Sequence, residues 1–192
     1  MKNRCIALNL LDKIKRAGLG CFTLLALAPL LSGCISSTGP ILTDAKPVLG
    51  EHGTIHVYKL SQDGALDPGA VTFQWRGSRY LVHGKSAGFS EFTAYPYEGR
   101  DWIVQGATAR APQRIEYGLA RRLADGVYLL VQIDEDDVDE PTRAKFCTKT
   151  QDATCRIATP EQLFVFARAR ADKPIEGGAL AVVMAGHANG AH

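Results

Sequence analysis

A chain of 192 residues with 46% hydrophobic and 22% charged side chains suits one ordinary domain and is too apolar for a disordered one. Five of its 22 basic and one of its 20 acidic side chains lie in the first 16 positions. That leaves 17 basic against 19 acidic residues beyond them, a balance that supplies no argument for nucleic-acid binding.

The early basic residues are Lys2, Arg4, Lys13, Lys15 and Arg16, interrupted only by Asp12. An apolar run from Gly18 to Leu31 follows; at 14 residues, with Pro29 inside it, it is short for a membrane span and suits the core of an export signal. It ends in Leu31-Ser32-Gly33-Cys34. This order resembles a bacterial lipoprotein signal peptide. The resemblance implies a diacylglycerol on the Cys34 thiol, cleavage just before Cys34 and acylation of the freed amine, and two or more acyl chains hold a protein on a membrane stably. Because Ile35 and not an aspartate follows the cysteine, the resemblance further implies the outer membrane, facing the periplasm.

The division expected is therefore a signal peptide over 1–33, a lipidated flexible tether over 34–50, one β-rich domain over 51–185 and a disordered tail over 186–192. Ser36, Ser37, Gly39, Pro40, Pro47 and Gly50 give the tether its composition, and fully extended it spans roughly 50 Å at about 3.3 Å per residue. With Cys5 and Cys21 in the signal and Cys34 lipidated, Cys147 and Cys155 remain. In an oxidising compartment a pair eight apart reads as a disulfide closing a small loop, with two free thiols or a metal pair as the alternatives.

The folded part opens with Gly53 to Leu60, rich in β-branched and aromatic residues and placing Ile55 and Val57 on one face. Asp63-Gly64 and Asp67-Pro68-Gly69 punctuate a polar connection. Val71, Phe73 and Trp75 then alternate strictly, Gly77-Ser78 turns the chain, and Arg79 to His83 returns as the partner of a hairpin. Gly84-Lys85-Ser86 is not a phosphate loop, since Arg79 stands where that motif needs its first glycine. Phe89 to Tyr95, ended by Pro96, and Asp101 to Gly106 are further strands. A second hairpin joins Ile115–Leu123 to Val127–Ile133 through Asp125-Gly126.

Asp134 to Glu140 holds six carboxylates in seven positions but lacks the glycine of a calcium loop, so it reads as a solvated excursion beyond the sheet. One helix is well marked: Thr159 as N-cap, Pro160 at the first turn and Gln162 completing a capping box, with Leu163, Phe166, Ala167 and Arg170 on the sheet-facing side. Ala179 to Met184 forms a last apolar run, as an edge strand or a docking segment.

Chemistry-bearing patterns are sparse. No nucleophile elbow or zinc-protease motif occurs, and His52 and His56 lie on a strand and not a helix. Glu91 with Glu98, or Glu116 with Asp101, are the carboxylate pairs a glycosidase would need. The cluster containing Trp75, Tyr80, Tyr95 and Trp102 fills a β core or lines a groove.

The fold expected is thus α+β, a mainly antiparallel meander with one late helix packed on it; the alternative is a small β-barrel or sandwich with a helical cap. The function expected is that of a membrane-anchored envelope lipoprotein with a non-enzymatic binding or structural role, its partner an envelope protein or cell-wall component. The alternative is a periplasmic hydrolase or an enzyme inhibitor. Neither cofactor nor nucleic acid is expected.

Overall fold

The computed structural model of the protein describes residues 34–60, 66–84, 89–108, 112–150, 154–174 and 178–186. The expected signal peptide over 1–33, Lys85-Ser86 and tail residues 187–192 lie outside them.

Eleven strands follow in chain order: β1 (Ile35–Ser37), β2 (His52–Leu60), β3 (Leu66–Trp75), β4 (Tyr80–His83), β5 (Phe89–Pro96), β6 (Asp101–Thr108), β7 (Ile115–Ala124), β8 (Val127–Gln132), β9 (Thr148–Lys149), β10 (Cys155–Arg156) and β11 (Ala179–Ala185). Two helices, α1 (Glu140–Phe146) and α2 (Pro160–Ala171), lie between β8 and β11. Strands β2 to β8 pair successively and antiparallel, β6 pairing with β7 through seven register positions from Asp101↔Arg121 to Ala107↔Ile115. Strand β11 pairs with β8 on one side and with β2 on the other, in register from Ala179↔Lys59 to Ala185↔Gly53. The eight strands β2–β8 and β11 therefore close on themselves.

This overturns the expected open meander with a single late helix. The hairpins are those the alternation predicts, with Trp75↔Tyr80 and Leu119↔Val131 in register, but closure depends on β11 reaching back to β2. No local periodicity encodes a pairing across more than a hundred residues. Closure removes the two long sheet edges that a meander of these strands would leave open. Strand β3 also begins earlier than its turn-like Asp67-Pro68-Gly69 suggests: Pro68 pairs with Tyr58 where β4 has already left the other side of β3, so its missing N–H breaks no ladder.

Two cores result, one on each side of the barrel wall. Inside, Ile55, Val71, Phe73, Tyr80, Phe92 and Ala181 pack together. Tyr80 stacks on Phe92 with ring centroids 4.9 Å apart and meets Phe73 and Trp75 edge-on at 5.3 and 4.8 Å. Aromatics of this size fit because other inward positions are small; a Cβ on Gly106 would stand 2.7 Å from the ring of Phe89. Outside, Ile103, Ile115, Leu119 and Ile133 are covered by Ile35 and by Leu163, Phe166 and Ala167 of α2. Helix α2 carries the predicted cap: the Thr159 hydroxyl accepts from Gln162 N at 3.3 Å, while Gln162 Oε1 accepts from Thr159 N at 3.1 Å.

Residues 34–50, expected as a free tether, are laid on the barrel. Cys34 and Ile35 are almost fully buried, and Ile35–Ser37 forms a strand between β7 and β10. Beyond it, Gln105 Oε1 accepts from the N–H of Ile41 and Leu42 at 2.8 and 3.0 Å, and Tyr95 donates to the Leu42 carbonyl at 2.7 Å. Composition suggested a spacer, whereas one buried glutamine and one tyrosine supply the partners that its backbone needs.

Candidate functional site

The acidic run is a solvated excursion only in part: Asp136, Asp139 and Glu140 are exposed, but the turn that holds the others is buried. Glu135–Asp137 forms a 3-10 turn in which Glu135 and Asp137 are buried, closed by a 2.7 Å hydrogen bond from Asp134 N to Asp137 Oδ2. Basic side chains from three elements meet it. Asp137 lies 3.7 Å from Arg170 and 3.4 Å from Lys173 at the end of α2, Asp136 pairs with Arg143 of α1, and Glu135 pairs with Lys149 of β9. Burial, reinforced by Asp137 and Asp136, pushes the Asp134 carboxyl up to about 7. Burial likewise raises Asp137, opposed by the Asp134 backbone N–H and by Arg170. The basic residues at 143–149 and 168–173 were the available signal, since a run of acids that is to be buried needs such a complement.

Beside this turn Cys147 and Cys155 form a disulfide, their Cα atoms 5.2 Å apart. It ties the end of α1 to β10, and β10 lies parallel to β1 with Cys155 opposite Ile35. Cys155 is fully buried and Cys147 partly so. The Cys147 sulfur lies 3.9 Å from Glu135 Oε2, and Glu135, Cys147 and Cys155 bring three donor atoms within 4.8 Å of one another. Cys34, the expected lipidation site, is 2% exposed, makes an antiparallel backbone bridge with Asp134 at the margin of the same region, and has its sulfur in a disulfide.

The expected carboxylate pairs do not assemble. Asp101 faces Arg121 across the β6–β7 ladder, and Glu116 lies five residues from Arg121, about 17 Å along the strand. Glu91 and Glu98 are seven residues apart along and just past β5, roughly 20 Å, and are held by Arg79 and Arg168 respectively. Both separations exceed the spacing at which glycosidase carboxylates cooperate. His52 and His56 both lie on β2, about 13 Å apart. Nor do the four aromatics line one groove: Tyr80 is in the core with Trp75 packed edge-on against it, Tyr95 donates to the Leu42 carbonyl, and Trp102 is left near the surface.

A different arrangement appears at the barrel end formed by the turns 76–79, 97–100 and 125–126. Between the last two lies a depression of about 410 Å³ lined by Glu98, Arg100, Asp101, Arg121, Arg122 and Leu123, with Tyr97 and Trp102 on its flank. Its floor is rigid. Arg121 makes two hydrogen bonds to Asp101, at 3.0 and 2.8 Å, and a third to the carbonyl of Ala171 at 3.2 Å; the first of these partners raises the Arg121 pKa. Arg122 N donates to the Arg100 carbonyl at 3.0 Å. The rim is apolar and exposed: Leu123 is 50% exposed, and Phe164, 41% exposed, stacks on Tyr97 with centroids 6.0 Å apart. Arginine, tyrosine and tryptophan, which stand here around the half-exposed leucine, are the residue types in which interface binding energy concentrates. Nothing in the sequence gathers these residues, because they come from three elements.

The architecture defines a closed eight-stranded antiparallel β-barrel with a filled interior, an outer helix and a disulfide-tied lobe. No family model, no curated protein and no solved structure matches the chain. Among the described residues no helix is long and apolar enough to cross a membrane.

Proposed function

We propose that this chain is an exported envelope protein that acts by binding, as an inhibitor of an envelope enzyme, through the barrel end around Arg100, Arg122 and Leu123. The observation that carries this reading is the depression between the 97–100 and 125–126 turns, where arginines and exposed apolar side chains stand on a floor already fixed by the Arg121–Asp101 pair. A pre-ordered surface of this kind loses little entropy on association. Arg100, and Arg122 by exchanging the exposed Asp125 with which it pairs, suit a partner whose cleft carries carboxylates, as the clefts of glycosidases do. The packed barrel interior, with Tyr80 fully buried, favours action at the surface over a ligand held inside.

The same proposal includes a lipid at Cys34 and residence at the outer membrane facing the periplasm, supported by the order of residues from Lys2 to Cys34. Because Ile35–Ser37 is fixed in the sheet, such an anchor would hold the barrel directly against the bilayer, without the 50 Å spacer. Cys34 would have to leave its buried place beside Asp134, and its sulfur, which is disulfide-bonded in the folded chain, would have to be released, to carry the lipid.

Two experiments test the reading. Fatty-acid labelling in cells should give a labelled product that disappears with Cys34→Ala; an unlabelled product of mature size contradicts the anchor. A photoreactive residue at position 123 should crosslink in cells to one envelope enzyme, while the same probe at exposed position 72 on the opposite side of the sheet order should not. Equal labelling from both positions contradicts the binding face.

A further inference from the structure

Glu135 has a buried carboxylate whose Oε2 has two near neighbours, the Lys149 ammonium, which donates to it, and, at 3.9 Å, the Cys147 disulfide sulfur, which has no proton to donate. Salt-bridge needs alone do not require the second. The basic side chain comes in from solvent, with Lys149 52% exposed, whereas the carboxylate lies against the disulfide at the bottom of the lobe. Cys147, Cys155 and Glu135 stand on three separate pieces of backbone, the end of α1, β10 and the turn after β8, and the whole donor set fits within 4.8 Å.

Those separations are close to the edges of a tetrahedral metal site. With metal–sulfur bonds of about 2.3 Å and metal–oxygen bonds of about 2.0 Å, the sulfur–oxygen edge is about 3.5 Å and the sulfur–sulfur edge about 3.8 Å. The Cys147–Glu135 edge is already within a few tenths of an ångström of this. Two adjustments complete the site: the sulfurs part when the disulfide is reduced, and the Cys155–Glu135 edge, which lies within 4.8 Å, closes to the same sulfur–oxygen length.

We propose that Cys147, Cys155 and Glu135 form a redox-gated site for a thiophilic divalent metal ion of the zinc class. Oxidised, the pair is a covalent staple with no thiolate to offer. A dithiol reductant delivers two electrons and two protons, is itself converted to a disulfide, and leaves two thiols. Binding of the ion expels those two protons and forms two metal–sulfur bonds and one metal–carboxylate bond, with the fourth position open to water. The metal and its three anionic ligands then carry a net charge of −1, and the Lys149 ammonium lies beside Glu135 to balance it. Two thiolates favour zinc-like ions over calcium or magnesium, which take oxygen donors. The inference does not depend on the binding face at the barrel end, which lies on other elements.

The test uses the purified mature chain, reduced with a phosphine under anaerobic conditions and titrated with Co²⁺. The expected result is a one-to-one complex showing the visible absorption of tetrahedral cobalt with thiolate charge transfer, displaced by one equivalent of Zn²⁺. The unreduced chain should show no such bands, and Cys147→Ser should abolish them. Glu135→Gln should keep both thiols reactive and weaken cobalt binding by at least about tenfold. If Glu135→Gln does not fold, Glu135→Asp, which retains the charge but withdraws it by one methylene, is read with the same expectation. Absence of tetrahedral bands from the reduced wild-type chain overturns the proposal. So does unchanged affinity in the Glu135 variant, which would reduce the site to an ordinary dithiol.

Discussion

The hydroxyl of Tyr80, from inside the barrel, accepts a hydrogen bond from the backbone N–H of Leu49 at 2.8 Å. Leu49 belongs to the segment entering β2 and packs on the interior cluster, so this contact pins the entering chain against one end of the barrel. Burial pushes the Tyr80 phenol up to about 12, which keeps it neutral at every physiological pH. Tyr80→Phe leaves the Leu49 N–H without its acceptor and should cost about 1–2 kcal/mol in urea unfolding. Tyr80→Ala, which also empties the centre of the aromatic cluster, should cost about 3–5 kcal/mol.

The acidic turn predicts a pH dependence. Asp134 titrates near 7 in the folded chain against 3.8 unfolded, so between about pH 4 and pH 7 the folded state holds a proton that the unfolded state has lost. Stability should therefore fall as pH rises through that window and level off above it. Asp137, raised in the same direction by burial, adds to the slope. The upper bound for Asp134 is about 4 kcal/mol. Asp134→Asn should flatten the profile when melting temperature is followed from pH 4 to pH 8; an unaltered slope would place the titrating group elsewhere.

Arg121 and Asp101 should show unequal sensitivity to substitution. Asp101 is nearly buried and accepts both hydrogen bonds, so Asp101→Ala strands a guanidinium that is itself about one third exposed. A loss of about 1–2 kcal/mol is expected after allowing for solvent screening of that charge. Asp101→Asn keeps one acceptor and should recover part of it.

How far the sequence reveals this molecule depends on the range of each interaction. Helix α2 is legible because its signals, Thr159, Pro160 and Gln162, act within one turn, and Leu163 and Phe166 are fully buried as their spacing predicts. The hairpins around Gly77-Ser78 and Asp125-Gly126 are legible for the same reason. Barrel closure is not, since it needs Ala181 to meet Val57 across most of the chain. The segment 34–50 misleads because Ser, Gly and Pro mark spacers and docked strands alike, and Gln105, which binds it, lies more than 60 residues away. The candidate binding face is not legible, because Arg100 meets Arg122, and Tyr97 meets Phe164, only when the 97–100 turn, β7 and α2 are assembled. Glu135 was hidden in a run of acids whose composition looks solvated.

The Cys147–Cys155 bond closes a loop of modest length. Mass measurement after alkylation of the unreduced chain should find both cysteines protected. The double Cys147→Ser, Cys155→Ser variant should lose about 2–3 kcal/mol of stability. Because α1 has no buried residue of its own, proteolysis of that variant should begin within 140–150 while the barrel stays intact.

The central claim, that this protein works by occupying an enzyme through its barrel end, is tested most directly by titrating the purified chain against the enzyme captured by the probe at position 123. The account predicts saturable inhibition at one chain per enzyme, weakened at least about a hundredfold by Arg100→Glu with Arg122→Glu, two losses of hot-spot size, while the variant keeps its melting temperature. Inhibition that is equally strong with both arginines reversed would contradict the assignment of the face, and a captured enzyme that turns over undisturbed at saturating chain would contradict the claim itself.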